Sequence, residues 1–99
     1  MFSNVHHVAI IGTDYQRTRE FYVDKLGFKV ISEHIRIEKN DIILNVQQGN
    51  LVLEIFIKED APARPKIPNP EHSGLRHLAF KVNDVESVLE KFDELDIVH

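Results

Sequence analysis

The sequence contains no cysteine, which excludes disulfides and thiolate metal sites. No apolar run approaches the length that spans a membrane, and the N-terminus lacks the pattern of a signal peptide. Basic charge is not in excess. A formal net charge of -4 and a pI near 5.8 argue against nucleic acid or an anionic membrane as the main partner. There is also no glycine-rich phosphate loop, no HExxH and no nucleophile elbow. A soluble cytoplasmic protein is the default expectation.

What is present is ordinary in bulk. A chain of 99 residues makes one small domain, and 42% apolar with 28% charged residues is the balance of a globular protein with a modest core. Six of the residues are histidine, a high count for this length. Two of them head short apolar runs, "HVAII" from His7 and "HLAFKV" from His77.

The pattern along the chain predicts a strand over Val5 to Ile11 and then a helix. Thr13 is placed to cap that helix, with Gln16 completing a capping box, and Tyr15, Thr18, Tyr22 and Leu26 form its inward stripe. Gly27 sits where a helix end needs positive φ. Phe28 to Ile37 reads as β-like with a polar tip. Asp41 to Val46 and Leu51 to Ile57 read as two strands joined by Gln47-Gln48-Gly49-Asn50. All four prolines fall between Pro62 and Pro70, in a stiff connector rather than a boundary between independent domains. A second unit follows: a strand over Arg76 to Val82, a helix capped by Asn83 with Glu86, and an inward stripe of Val85, Val88, Leu89, Phe92 and Leu95. Residues 1–60, 61–74 and 75–99 are thus a first module, a connector and the start of a second module within one domain, 1–99.

The two units overlay. "HVAIIGTDY" from His7 lies on "HLAFKVNDV" from His77, with histidine, alanine and aspartate coinciding. This is the mark of a duplicated βαβββ module in an α+β fold. In the overlay His6 falls on Arg76, a residue type that faces solvent. Alternation along a strand then sends His6 and His7 to opposite faces, and His7 and His77 to equivalent ones. If those faces oppose each other, both imidazoles enter a common cavity.

"LVLEIFI" supplies a carboxylate. Glu54 interrupts an apolar strand, with Val52 and Phe56 on its own face and Leu51, Leu53, Ile55 and Ile57 on the other. Both faces being apolar, the strand is expected to be covered on both sides. An unpaired carboxylate there is costly, and a bound cation relieves that cost. An edge position that lets Glu54 reach water, or a salt bridge to an arginine, would relieve it too. Taken singly, His7 and His77 read as strand-end histidines bonded to carbonyls. The repeat register and the glutamate together turn the reading towards ligation. His34 and His72 lie in polar, turn-like stretches and read as solvated, as does the Arg17, Arg19 and Glu20 face. Arg64 in "PARP" reads as a loop residue, or as one set over a site entrance.

The motifs "HHVAI", "FYVDKLGF", "LVLEIF" and "GLRHLAFKVNDV" together resemble the vicinal oxygen chelate superfamily, which includes glyoxalase I, bleomycin-resistance proteins and extradiol dioxygenases. With "PARP" added, the chain is most similar to small bacterial glyoxalase-like (lactoylglutathione lyase-like) proteins. The resemblance implies paired βαβββ modules forming an open, cavity-bearing barrel of eight strands, with the second module truncated after its helix here. It places metal ligands at His7, Glu54 and His77. The fourth, a glutamate equivalent to Glu54 in the second module, would fall beyond His99. The cofactor implied is a divalent ion, with nickel, zinc, cobalt and manganese all open.

The activity implied, for a full-length form, is a metal-dependent lyase or isomerase acting on the hemithioacetal of a 2-oxoaldehyde and a thiol. The ion would stabilise an enediolate and Glu54 would carry the proton. The 99-residue chain itself is expected to have little or no activity. A ring-cleaving dioxygenase using the same two histidines and one carboxylate is an alternative, and a non-catalytic binding protein of the bleomycin-resistance type is another. A small-molecule partner and a homodimer are expected.

Overall fold

The computed structural model describes residues 1–65, 70–84, 86 and 87. Two units are distinguished, Met1–Ala63 and Arg64–His99.

In the first unit, residues Val8–Gly12 form strand β1, and Tyr15–Arg19 form helix α1, which continues through wider turns over Glu20–Lys25. Strands β2 (Lys29–Arg36), β3 (Asp41–Gln48) and β4 (Leu51–Ile57) follow. They make one sheet in the order β1-β4-β3-β2, with β1 parallel to β4 and the other pairs antiparallel. This is a single βαβββ module. "LVLEIFI" is apolar and β-branched enough to take the interior position between β1 and β3.

The helix starts one residue later than the capping-box pattern predicts. Asp14, not Thr13, is the cap: its backbone is extended (φ -134°, ψ 115°) and its Oδ1 accepts from the Arg17 N–H at 2.9 Å. Either residue type can cap, and Asp14 lies at the spacing that reaches the third helical N–H. The far end is widened. Leu26 N donates to Phe21 O at 2.9 Å, and Phe28 N to Tyr22 O at 2.9 Å, a glycine-terminated end stretched by a residue. Gly27, at φ 81°, takes the left-handed turn that stops it. The helix packs Tyr15, Tyr22, Val23 and Leu26 on one face of the sheet, over buried Phe28, Leu44, Val46, Leu53, Ile55 and Ile57. Burial raises the Tyr22 pKa. A hydrogen bond to Glu33, with burial behind it, raises that of Tyr15.

A bulge matters for what the other face carries. The β2–β3 register shifts between Val30 and Ser32, so Ile31 is the extra, exposed residue. Without it Val30 and Ser32 would share a face. With it, Val30 stays opposite Val46 on the helix side while Ser32 comes opposite Asn45 on the other side. A left-handed turn at Asn40 (φ 51°) then reverses the chain into β3. His34, read from the sequence as part of a turn-like tip, lies within β2 and is exposed.

At one end of the helix-free face a charge cluster ties β2 and β3 to the residue that follows β4. Asp41 is buried and accepts from Arg36 through both of its oxygens (Nε to Oδ1 2.8 Å, Nη2 to Oδ2 2.7 Å). Lys58 Nζ donates to Oδ2 at 2.8 Å. Arg36 also lies over the Phe56 ring, 5.4 Å from its centroid. These hydrogen bonds, from Arg36 first and then Lys58, hold the Asp41 carboxyl well below the ordinary carboxylate range. A depressed folded-state pKa stabilises the protein above the unfolded value, about 3.9, and that stability is lost as pH falls towards the folded value. Asp41→Asn should therefore be less stable than wild type at pH 7. Its thermal melts should also fall less steeply than the wild type's from about pH 4 downwards. Parallel acid limbs for the two proteins would refute the assignment.

The second unit repeats the capping correction. Asp84, not Asn83, accepts from Glu86 N (3.1 Å) and Ser87 N (3.4 Å), and Ser87 Oγ donates to it at 2.7 Å. These bonds, that from the Ser87 hydroxyl first, lower the Asp84 pKa. Asp14 and Asp84 coincide in the sequence overlay, so the two units share their cap. The strand expected over Arg76 to Val82 does not form: these residues are exposed and carry no ladder. A lone extended segment needs neighbours to become a strand, and no partner strand occurs among the described residues of this unit. The stripe Val85, Val88, Leu89, Phe92 and Leu95 lies outside the described residues, as does His99.

Candidate functional site

The helix-free face of the first sheet carries a row of polar side chains. Ser32 pairs with Asn45, Asn45 with Glu54 and Glu54 with Ala9, so these four stand in line across β2, β3, β4 and β1. Asn45 Nδ2 donates to Ser32 Oγ at 2.9 Å. Ala9, with only a methyl group, leaves the space beside Glu54 open on the β1 side.

Glu54 lies in an interior strand, so the edge-strand reading does not hold. Neither does full coverage of β4: Glu54 keeps a side-chain exposure of 30%. The partner it finds is not an arginine. His7, just before β1, brings Nε2 to 3.8 Å from Glu54 Oε1, with its own side chain 42% exposed. This contact is too long for a hydrogen bond.

His6 and His7 do not diverge. The strand begins only at Val8, so nothing enforces alternation on the two residues before it. Their rings meet edge to face, 5.1 Å between centroids, with Nδ1 of one 2.9 Å from Nδ1 of the other. The sequence did not mark His6 as part of the site, and its neighbour's identity was the only signal available. His77 belongs to the second unit and is exposed, as is His72.

The donor set passes a simple test of fit. Bonds of about 2.0–2.2 Å from an imidazole nitrogen and a carboxylate oxygen to one ion set the donors about 3.4 Å apart at the tetrahedral angle and at most about 4.2 Å apart. The 3.8 Å between His7 Nε2 and Glu54 Oε1 is within that reach. Two donors are only part of a shell, and among the described residues no group of three or more histidine, aspartate or glutamate side chains is gathered to hold a metal.

One βαβββ module, with helix on one face and a histidine–carboxylate pair on the other, is the arrangement that the comparisons bear on. The model of the glyoxalase/bleomycin resistance protein/dioxygenase superfamily matches residues 4–98, and the chain belongs to that superfamily. It is 40% identical over 98 residues to the uncharacterized protein YwkD of Bacillus subtilis (strain 168), covering 98% of this chain and 75% of that protein. It is 45% identical over 89 residues to the uncharacterized protein YaeR of Escherichia coli (strain K12), covering 86% of this chain and 65% of that protein. The crystal structure of the glyoxalase family protein from Enterococcus faecalis superposes with a TM-score of 0.82 at 53% identity, over 94% of this chain and 72% of that one. That of SMU.1112c superposes with a TM-score of 0.81 at 42% identity, over 92% and 73%. The resemblance read from the motifs is thus established at the level of superfamily and fold. No helix among the described residues is long and apolar enough to cross a membrane.

Proposed function

We propose that this chain carries part of the active site of a metal-dependent glyoxalase-like lyase or isomerase, acting on the hemithioacetal of a 2-oxoaldehyde and a thiol. The observation that carries the reading is the pairing of His7 Nε2 with Glu54 Oε1 at 3.8 Å on the open face of the sheet. A carboxylate in an interior strand, next to an imidazole but not bonded to it, is a pair of donors with room for an ion between them. His7 and Glu54 would supply two of the ligands of that ion, one of nickel, zinc, cobalt or manganese, and the motif resemblance names His77 as a third. Such an ion, when bound, supplies Lewis-acid polarisation of adjacent substrate oxygens.

The protein's own part is then acid–base work. In this reading Glu54 takes a proton from the carbon bearing the hydroxyl and the thioether sulfur, and returns it to the neighbouring carbonyl carbon. Ser32 and Asn45, next in the row, offer hydroxyl and amide groups to a polar substrate.

The test is titration of the metal-stripped protein with nickel and with zinc, beside His77→Ala. Binding near one ion per chain that His77→Ala abolishes supports the reading. Absence of binding in the wild type overturns it, and favours a small-molecule binding protein of the bleomycin-resistance type.

A further inference from the structure

The two imidazoles at the start of the chain are joined in a way that the proposed chemistry does not use. His6 Nδ1 and His7 Nδ1 are 2.9 Å apart, a hydrogen-bond distance, so one ring supplies the N–H and the other the lone pair. The opposite nitrogen of His7 is the one that faces Glu54. A neutral imidazole has a single N–H. If His7 carries it on Nδ1, its Nε2 presents a lone pair on the Glu54 side. If it carries it on Nε2, that lone pair is gone and no cation can be ligated there. The choice is made by whatever accepts from Nδ1. The group within hydrogen-bond reach of His7 Nδ1 here is the neighbouring His6 ring, set nearly perpendicular at 81°.

We infer that His6 is a positioning residue: its Nδ1 accepts the His7 Nδ1 hydrogen, and so holds the His7 Nε2 lone pair towards a divalent cation beside Glu54. The inference rests on the metal reading above. It gives the adjacent histidines different tasks. His7 ligates, and His6 sets the tautomer and the plane of the ring that ligates. Because Val5 to His7 stand outside the β1 ladder, strand pairing does not set the direction of the His7 side chain, and His6 is the residue in hydrogen-bond contact with its Nδ1.

Two substitutions separate this role from a merely structural one. His6→Phe keeps a ring of similar size and removes the acceptor. His6→Asn removes the ring and keeps an oxygen near the Nδ1 position. Zinc affinity of the metal-stripped proteins is measured by calorimetry, with thermal melts alongside. The expected result is a loss of about tenfold to a hundredfold in His6→Phe, recovery to within about threefold of wild type in His6→Asn, and unchanged melts in both. Wild-type affinity in His6→Phe would overturn the inference while leaving the metal reading intact. So would an equal loss in both variants. A wild type that binds no zinc would overturn the metal reading, and this inference with it.

Discussion

Glu54→Gln should lower the affinity for nickel or zinc by about a hundredfold or more, and should leave the stability of the fold nearly unchanged. The magnitude follows from ordering two kinds of loss. Removing an outer partner of a ligand costs about tenfold to a hundredfold in metal affinity, and removing the charged ligand itself costs more. The stability side follows from exposure. Glu54 retains 30% of its side-chain surface and meets His7 only at 3.8 Å. Such contacts contribute about 0–1 kcal/mol. Glutamine preserves the size and the polar atoms, so a large fall in melting temperature would mean that Glu54 serves the sheet rather than a ligand. Titration and melting of the same two proteins decide between these roles. On the lyase reading, the same change should abolish turnover, because the proton carrier is lost with the ligand.

Leu53→Ala should cost about 3 kcal/mol of folding stability. Leu53 is fully buried on the helix side of β4, one of six buried apolar side chains that form the core among the described residues. Replacement removes the transfer energy of the lost methyl and methine groups and leaves a cavity that interior strands close poorly. Small domains have little to spare: total stability runs at roughly 0.05–0.15 kcal/mol per residue, so this one change removes a large share of it. Chemical denaturation should show a lower midpoint with the same slope. Ile11→Ala is the control. Ile11 is 62% exposed on the open face, and its truncation should cost about 0.5 kcal/mol or less. Equal losses in the two variants would mean that the open face is covered in solution.

Much of this was legible in the sequence because several local signals agreed. "LVLEIFI" has strand length, β-branched side chains and a turn before it, and Leu51–Ile57 is the strand observed. Gly27 announced a left-handed helix end by its place after a periodic stripe. Glu54 was conspicuous because a carboxylate does not belong in that run without a reason. Other features depend on choices that residue types do not make. Thr13 and Asp14 are both good caps, and only the backbone decides between them. The bulge at Ile31 leaves no composition mark, yet it decides that Ser32 joins the face that Asn45 and Glu54 already share. The Arg36–Asp41–Lys58 cluster joins residues whose spacing follows no helix or strand period across the turn at Asn40. The relation of His6 to His7 went the wrong way because alternation was extended past the end of the ladder.

The parallel pairing of β1 with β4 also leads to an expected order of assembly. Strands β2, β3 and β4 succeed one another through short turns, so their pairings close small loops. The β1–β4 pairing encloses the helix and both other strands, and its loop-closure entropy is the largest in the unit. His7 stands directly ahead of the strand expected to dock last, and Glu54 lies on one expected to be in place by then. An ion bridging them would therefore report that the longest loop has closed, and would lend its binding energy to keeping it closed. Hydrogen exchange should show it: the amides of Val8–Gly12 open before those of Leu53–Ile57, and zinc narrows the gap.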